Sequence, residues 1–179
     1  MWLNYSQHIA KTSPKRDVYP LLEHPDAYKD VMNDLVTHIG QFSYDRIAGL
    51  EATGMLFGSV LSYILEKPFL AIRRKGKYPY TSEELLTADT VDYSNSSKSF
   101  QIPHTHVDAG ERIVIVDDWM ETGNQFLLAK ELLEGAGATV VGGLFLAIQD
   151  NKKTTMLRKQ HSLISLRESD LLTEPLKSS

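Results

Sequence analysis

The chain has 179 residues, of which 42% are hydrophobic and 23% charged, a composition that excludes a collagen-like or wholly disordered chain and fits one domain. Lys and Arg number 19 against 23 Asp and Glu, a formal net charge of −4, so a chain-wide basic footprint for nucleic acid is absent. There are no cysteines, which removes disulfides, thiolate metal sites and a cysteine nucleophile. No apolar run reaches the roughly 18 residues of a membrane helix. The start, Met1 to His8, lacks a basic stretch followed by an apolar core. A cytoplasmic protein without signal peptide or membrane partner is therefore expected.

Residues 1–20, with Pro14 and Pro20, read as a loop or cap. From Asp26 the pattern turns helical: Val31, Met32, Leu35, Val36 and Ile39 share one face and Gly40 stops it. Arg46 to Leu50 reads as a buried strand, Glu51 to Gly54 as a turn, and Met55 to Glu66 as a helix ended by Pro68. Phe69 to Ile72 is the next strand, completing a βαβ unit. Residues 73–110 open on the basic run Arg73-Arg74-Lys75-Gly76-Lys77 and pass through the polar stretch Ser94 to Ser99. So long and weakly patterned a segment suggests a β-ribbon or a mobile lid.

A second unit follows. Arg112 to Val116 is an apolar strand, Asp117 to Gly123 a turn, and Asn124 to Glu134 a helix with Leu128, Leu132 and Leu133 inward. Gly135 and Gly137 stop it, and Thr139 to Ile148 is another strand. Residues 149–170 hold one more short strand, Ser162 to Leu166, and Thr173 to Ser179 read as a frayed tail. Strands alternating with helices argue for an α/β protein with a mainly parallel sheet flanked by helices.

Ligands of such sheets bind beyond the C-terminal ends of the strands, where Asp117 to Gln125 lies. This turn runs into a helix N-terminus, whose free N–H groups favour an anion. Thr122 adds a hydroxyl, Gly123 permits close backbone approach, and Asn124 and Gln125 add amide donors. Asp117 and Asp118 accept hydrogen bonds from a vicinal diol and favour positive charge on a sugar ring. A five-carbon sugar phosphate meets both demands. Standing alone, the two acids would serve equally as a helix N-cap, and Arg73 to Lys77 as a solvated basic loop. His104 and His106, spaced i, i+2 near Asp108, have no evident third ligand, and a polar loop is the better reading. Trp119 is assigned to packing, as are Tyr78 and Tyr80.

Val114-Ile115-Val116-Asp117-Asp118-Trp119-Met120-Glu121-Thr122-Gly123 resembles the phosphoribosyl-diphosphate (PRPP) motif of type I phosphoribosyltransferases. Gly49-Leu50-Glu51-Ala52-Thr53-Gly54, Ile72 to Pro79 and Arg16 to Leu22 resemble that family's first core turn, basic segment and N-terminal hood, and Asp92-Tyr93 its loop Glu-Tyr. The match spans about residues 14–150 in order, and is greatest to the adenine phosphoribosyltransferase branch. Ordered motifs are far more specific than any one alone.

The resemblance implies one phosphoribosyltransferase domain over 1–179, with a hood at 1–25, a flexible loop or β-ribbon at 79–109 and a tail at 171–179. It implies transfer of a phosphoribosyl group from PRPP to a nucleobase, adenine favoured, with release of pyrophosphate in nucleotide salvage. It also implies Mg2+ held mainly by PRPP rather than by protein ligands, and a homodimer. By position, Asp117 and Asp118 hold the ribose hydroxyls, and Glu121, Thr122, Gly123, Asn124 and Gln125 form the 5′-phosphate loop. Ala52, Thr53 and Gly54, with Arg73, Arg74 and Lys77, take the pyrophosphate. Asp92 is the loop carboxylate for acid–base work, and Lys15, Arg16 and Tyr93 meet the base.

The chain departs from the family pattern at five of these positions, one of them Asp92, a methylene shorter than the family's Glu. Thr53 stands for a pyrophosphate-binding Arg, Lys15 for a base-stacking Phe, and Asn124 and Gln125 for Gly and Thr. These departures leave two alternatives open: a PRPP- or nucleotide-binding regulatory module without turnover, and a transferase for guanine, xanthine or a pyrimidine.

Overall fold

The computed structural model describes residues 7–11, 16–91 and 97–168, excepting the side chains of 10, 11, 16, 90, 91, 97, 167 and 168. In chain order the strands are β1 (Ala10–Lys11), β2 (Arg16–Asp17), β3 (Arg46–Leu50), β4 (Phe69–Arg74), β5 (Leu85–Val91), β6 (Ser97–Pro103), β7 (Arg112–Met120), β8 (Thr139–Ile148) and β9 (Leu163–Glu168). The helices are α1 (Pro25–Ile39), α2 (Thr53–Leu65), α3 (Asn124–Gly135) and α4 (Lys152–Gln160).

Seven strands form one sheet in the order β5-β6-β4-β3-β7-β8-β9. Neighbours from β4 to β9 run parallel, whereas β6 joins β4 and β5 antiparallel. The apolar strands divide by parity between two faces, because successive side chains in a strand point to opposite sides. Ile47, Val114, Val116, Leu144 and Leu146 pack under α1 and α2, through Val31, Leu35, Ile39, Phe57 and Leu61. Ala48, Ile113, Ile115 and Phe145 pack with α3, through Phe126, Ala129, Leu132 and Leu133. Burial on both faces explains why these strands read as continuous apolar runs.

Several boundaries differ from the sequence reading. β7 does not end at Val116; it continues through Asp117 and Asp118 to Met120, because β8 keeps pairing with it as far as Met120↔Ile148. Its neighbour β3 ends at Leu50. The end of β7 therefore stands clear on that side, and the turn shortens to Glu121–Gly123. α2 begins at Thr53, inside the expected turn. Residues 152–160 form a helix that the reading missed; only Thr154 and Leu157 are buried on it, too few to print a period. The segment at 79–109 contains the antiparallel β5–β6 ribbon. His104–His106 is a single 3-10 turn, so the i, i+2 pair does not share a strand face. The N-terminal cap includes an antiparallel β1–β2 pair.

Candidate functional site

The end of β7 meets the start of α2. Gly54 lies against it so closely that an added Cβ would come within 2.5 Å of the Val116 carbonyl oxygen and 2.9 Å of Asp117 Oδ1. Only glycine fits there, and its bare N–H donates to the Asp117 carboxylate. The Asp118 N–H donates to Asp117 Oδ1 at 3.0 Å. The peptide between Glu51 and Ala52, at the mouth of the same notch, is cis.

Asp117 is 8% exposed. Burial pushes its carboxyl well above the usual carboxylate range, and the Asp118 charge adds to the effect. Burial raises Asp118 too, with a smaller contribution from Asp17 of β2, which places the N-terminal cap within electrostatic reach of the pair. Two carboxylates on adjacent residues, withdrawn from water, keep a proton to higher pH than an exposed pair does. Such a pair can accept from hydroxyl groups and also donate.

Beyond the acids the chain turns at Gly123, the N-cap of α3, with φ of 80°. That residue carries no side chain to cap the helix, so the first-turn N–H groups have no side-chain acceptor. Thr122, Asn124 and Gln125 are half-buried around this opening. A small pocket of about 40 Å3 lies over it, lined also by Asp117, Trp119 and Lys98. A second cleft of about 370 Å3 adjoins it, lined by Arg74, Lys75, Lys98, Ser99, Phe100 and Gln125.

Asp117, Asp118 and residues 121–125 thus gather at one end of the sheet, with Gly54 against the acids and Ala52 and Thr53 leading into it. The basic segment behaves less uniformly. Arg73 is tied down locally: Nε lies 3.5 Å from Glu51 Oε2, Nη1 donates to the Lys77 carbonyl at 2.6 Å, and the guanidinium sits 5.5 Å from the Tyr78 ring centre. Tyr78 donates its hydroxyl to the Ala71 carbonyl, and burial pushes it up to about 12. Tyr78, Tyr80 and His106 pack in series, as the packing assignment of the tyrosines expects. Arg74 and Lys77 are exposed, and of the two it is Arg74 that lines the larger cleft. Lys15, Asp92, Tyr93 and the tail at 171–179 lie outside the described residues, as does the Arg16 side chain; the Arg16 backbone pairs with Lys11.

Three residues of the site escaped the sequence reading. Trp119, assigned to packing, is half-buried and lines the smaller pocket. Asp17 acts on Asp118 through its charge alone, from a strand more than 90 residues away in sequence. Lys98 lines both clefts; its only sequence signal is the alternation Lys98, Phe100, Ile102. Among the described residues no three His, Asp or Glu side chains converge as a metal site, and no helix is long and apolar enough to cross a membrane.

Comparison with known proteins adds to this geometry. A family profile described as phosphoribosyl transferase domain matches residues 19–170. An adenine phosphoribosyltransferase of Methylibium petroleiphilum is 38% identical over 72% of this chain, and the match spans 63% of that relative's length. One of Thermosipho africanus is 32% identical over 84% of this chain and 86% of the relative. The crystal structure of adenine phosphoribosyltransferase from Thermoanaerobacter pseudethanolicus superposes with a TM-score of 0.85 at 27% identity, covering 94% of this chain and 99% of the other.

Proposed function

Since the chain belongs to the phosphoribosyltransferase family, we propose that it transfers the phosphoribosyl group of PRPP to a nucleobase, adenine by preference, and releases pyrophosphate. The observation that carries this reading is the Asp117-Asp118 pair, the first buried and the second half-buried, beside an uncapped helix N-terminus. One half of the site accepts hydroxyls and tolerates positive charge. The other takes a phosphate. The choice of adenine rests on the relatives of that name.

In this reading Asp117 and Asp118 accept the two ribose hydroxyls. As the bond from the sugar to the diphosphate breaks, the ring gains positive charge, which the acids below it favour. Residues 121–125 hold the 5′-phosphate through the first-turn N–H groups of α3, and so fix the ring. Ala52 to Gly54, Arg74 and Lys77 face the departing diphosphate. Arg73 orders the basic turn through Glu51 and the Lys77 carbonyl. Asp92 serves as the proton acceptor, and Lys15, Arg16 and Tyr93 meet the base. The donor set suits Mg2+ carried mainly by the diphosphate, which Asp117 and Asp118 would help to hold. When bound, the ion neutralises charge on the leaving diphosphate. Leu56, Tyr63 and Ile64, exposed along α2, support a homodimer, which sedimentation tests.

The test of function is pyrophosphate release with PRPP and Mg2+, screened over adenine, guanine, hypoxanthine, xanthine, uracil and orotate. Release is expected with adenine foremost. Thr53, a cation short of the family pattern, favours a second reading, a PRPP-binding module. PRPP binding with no release from any of the six bases would establish that one.

A further inference from the structure

We propose that Lys98 is a ligand for the 5′-phosphate, reaching over the phosphate loop from the β5–β6 ribbon; this rests on reading residues 121–125 as the 5′-phosphate site. The alternation of a strand places Lys98, Phe100 and Ile102 on one face of β6. Phe100 and Ile102 are buried in the cluster that contains Phe126, from the first turn of α3. Lys98, one step further along that face, therefore projects over the helix N-terminus. It lines the small pocket together with Thr122, Gly123, Asn124 and Gln125.

Charge makes this position matter. The pocket's acidic lining residues are Asp117 and Glu121, and Lys98 is the one cation among its described lining residues. A dianion entering beside carboxylates needs a compensating charge, and the backbone N–H groups supply only partial ones. Among the described residues Lys98 forms no salt bridge, and the nearest basic neighbours in the adjoining cleft, Arg74 and Lys75, are cations as well. Its ammonium is thus available to a phosphate.

Titration calorimetry with ribose 5-phosphate and, separately, with pyrophosphate and Mg2+ tests the assignment. Lys98→Ala is expected to bind ribose 5-phosphate about tenfold more weakly, the scale of one lost charge-assisted hydrogen bond, and pyrophosphate as the wild type does. Lys98→Arg should recover most of the loss. Lys29→Ala, on the exposed side of α1, removes the same charge elsewhere and should change neither. Unchanged ribose 5-phosphate binding in Lys98→Ala overturns the proposal, as does a loss confined to pyrophosphate. If the wild type binds neither ribose 5-phosphate nor PRPP, the reading of the loop fails and this assignment with it. If the wild type turns over and Lys98→Ala matches it, only this assignment fails.

Discussion

Asp117 lowers stability near neutral pH. Burial raises its carboxyl above the value it has in the unfolded chain, so the folded state favours the protonated form. The associated stability is fully present below the unfolded pKa, about 3.9, and is lost as pH rises through the folded value. Asp117→Asn replaces the buried carboxyl with a group that does not titrate and keeps an oxygen for the Gly54 and Asp118 N–H groups. It is expected to raise Tm near pH 7 by about 2–4 °C, corresponding to about 1 kcal/mol, and to give no gain below about pH 4 in thermal scans. Asp118→Asn tests the chemistry instead: pyrophosphate release should fall about 100-fold with an unchanged circular dichroism spectrum. A rate within about twofold of wild type would remove the pair from the reaction. Gly54→Ala brings a Cβ to 2.5 Å from the Val116 carbonyl oxygen, a backbone atom that cannot step aside. Destabilisation of about 2 kcal/mol is expected from the denaturant midpoint, as for other overpacked sites. Of these residues the acids were legible in the sequence, because two carboxylates at the end of an apolar run break the pattern. The capture of Arg73 by Glu51, 22 positions earlier, carries no local signal.

Among the elements, α4 is the one whose position bears on residues 121–123 although its sequence shows little. Asn151 caps it, accepting from Lys153 N and Thr154 N, while its own Nδ2 donates to the Glu121 carbonyl at 2.8 Å. Leu157 packs beneath Gly123, so close that a Cβ there would meet it at 2.1 Å. The helix therefore props the turn that opens α3. Asn151→Ala should lower stability by about 1 kcal/mol, the usual worth of a cap, and should raise the KM for PRPP several-fold with a smaller change in kcat. Lost stability with an unmoved KM would mean that α4 supports only itself. The β5–β6 ribbon makes the opposite case. Its existence was legible as a long segment without helical period, but its lean over α3, which brings Lys98 to the loop, depends on Phe100 and Ile102 finding Phe126.

At the scale of the whole molecule, the sheet is most deeply covered where β3, β7 and β8 lie side by side between the two layers of helices. Amide hydrogen exchange should be slowest there and faster in β5, which lies at the sheet edge, since local opening is cheapest where fewest apolar groups are buried. Equal protection along all seven strands would contradict this. The alternation of strands with helices, the parity that feeds two apolar faces and the acid pair at a strand's end are all local patterns. Each is written within about a dozen residues, so the α/β class and the centre of the candidate site could be read from the chain alone. The meeting of Gly54 with Asp117 and of Lys98 with residues 122–125 joins residues far apart in sequence. Those contacts depend on the order β6-β4-β3-β7 and on how far β7 overruns β3. Hydrophobic periodicity tells a strand which side to bury, but not which strand will lie beside it, and so they emerged only with the folded sheet.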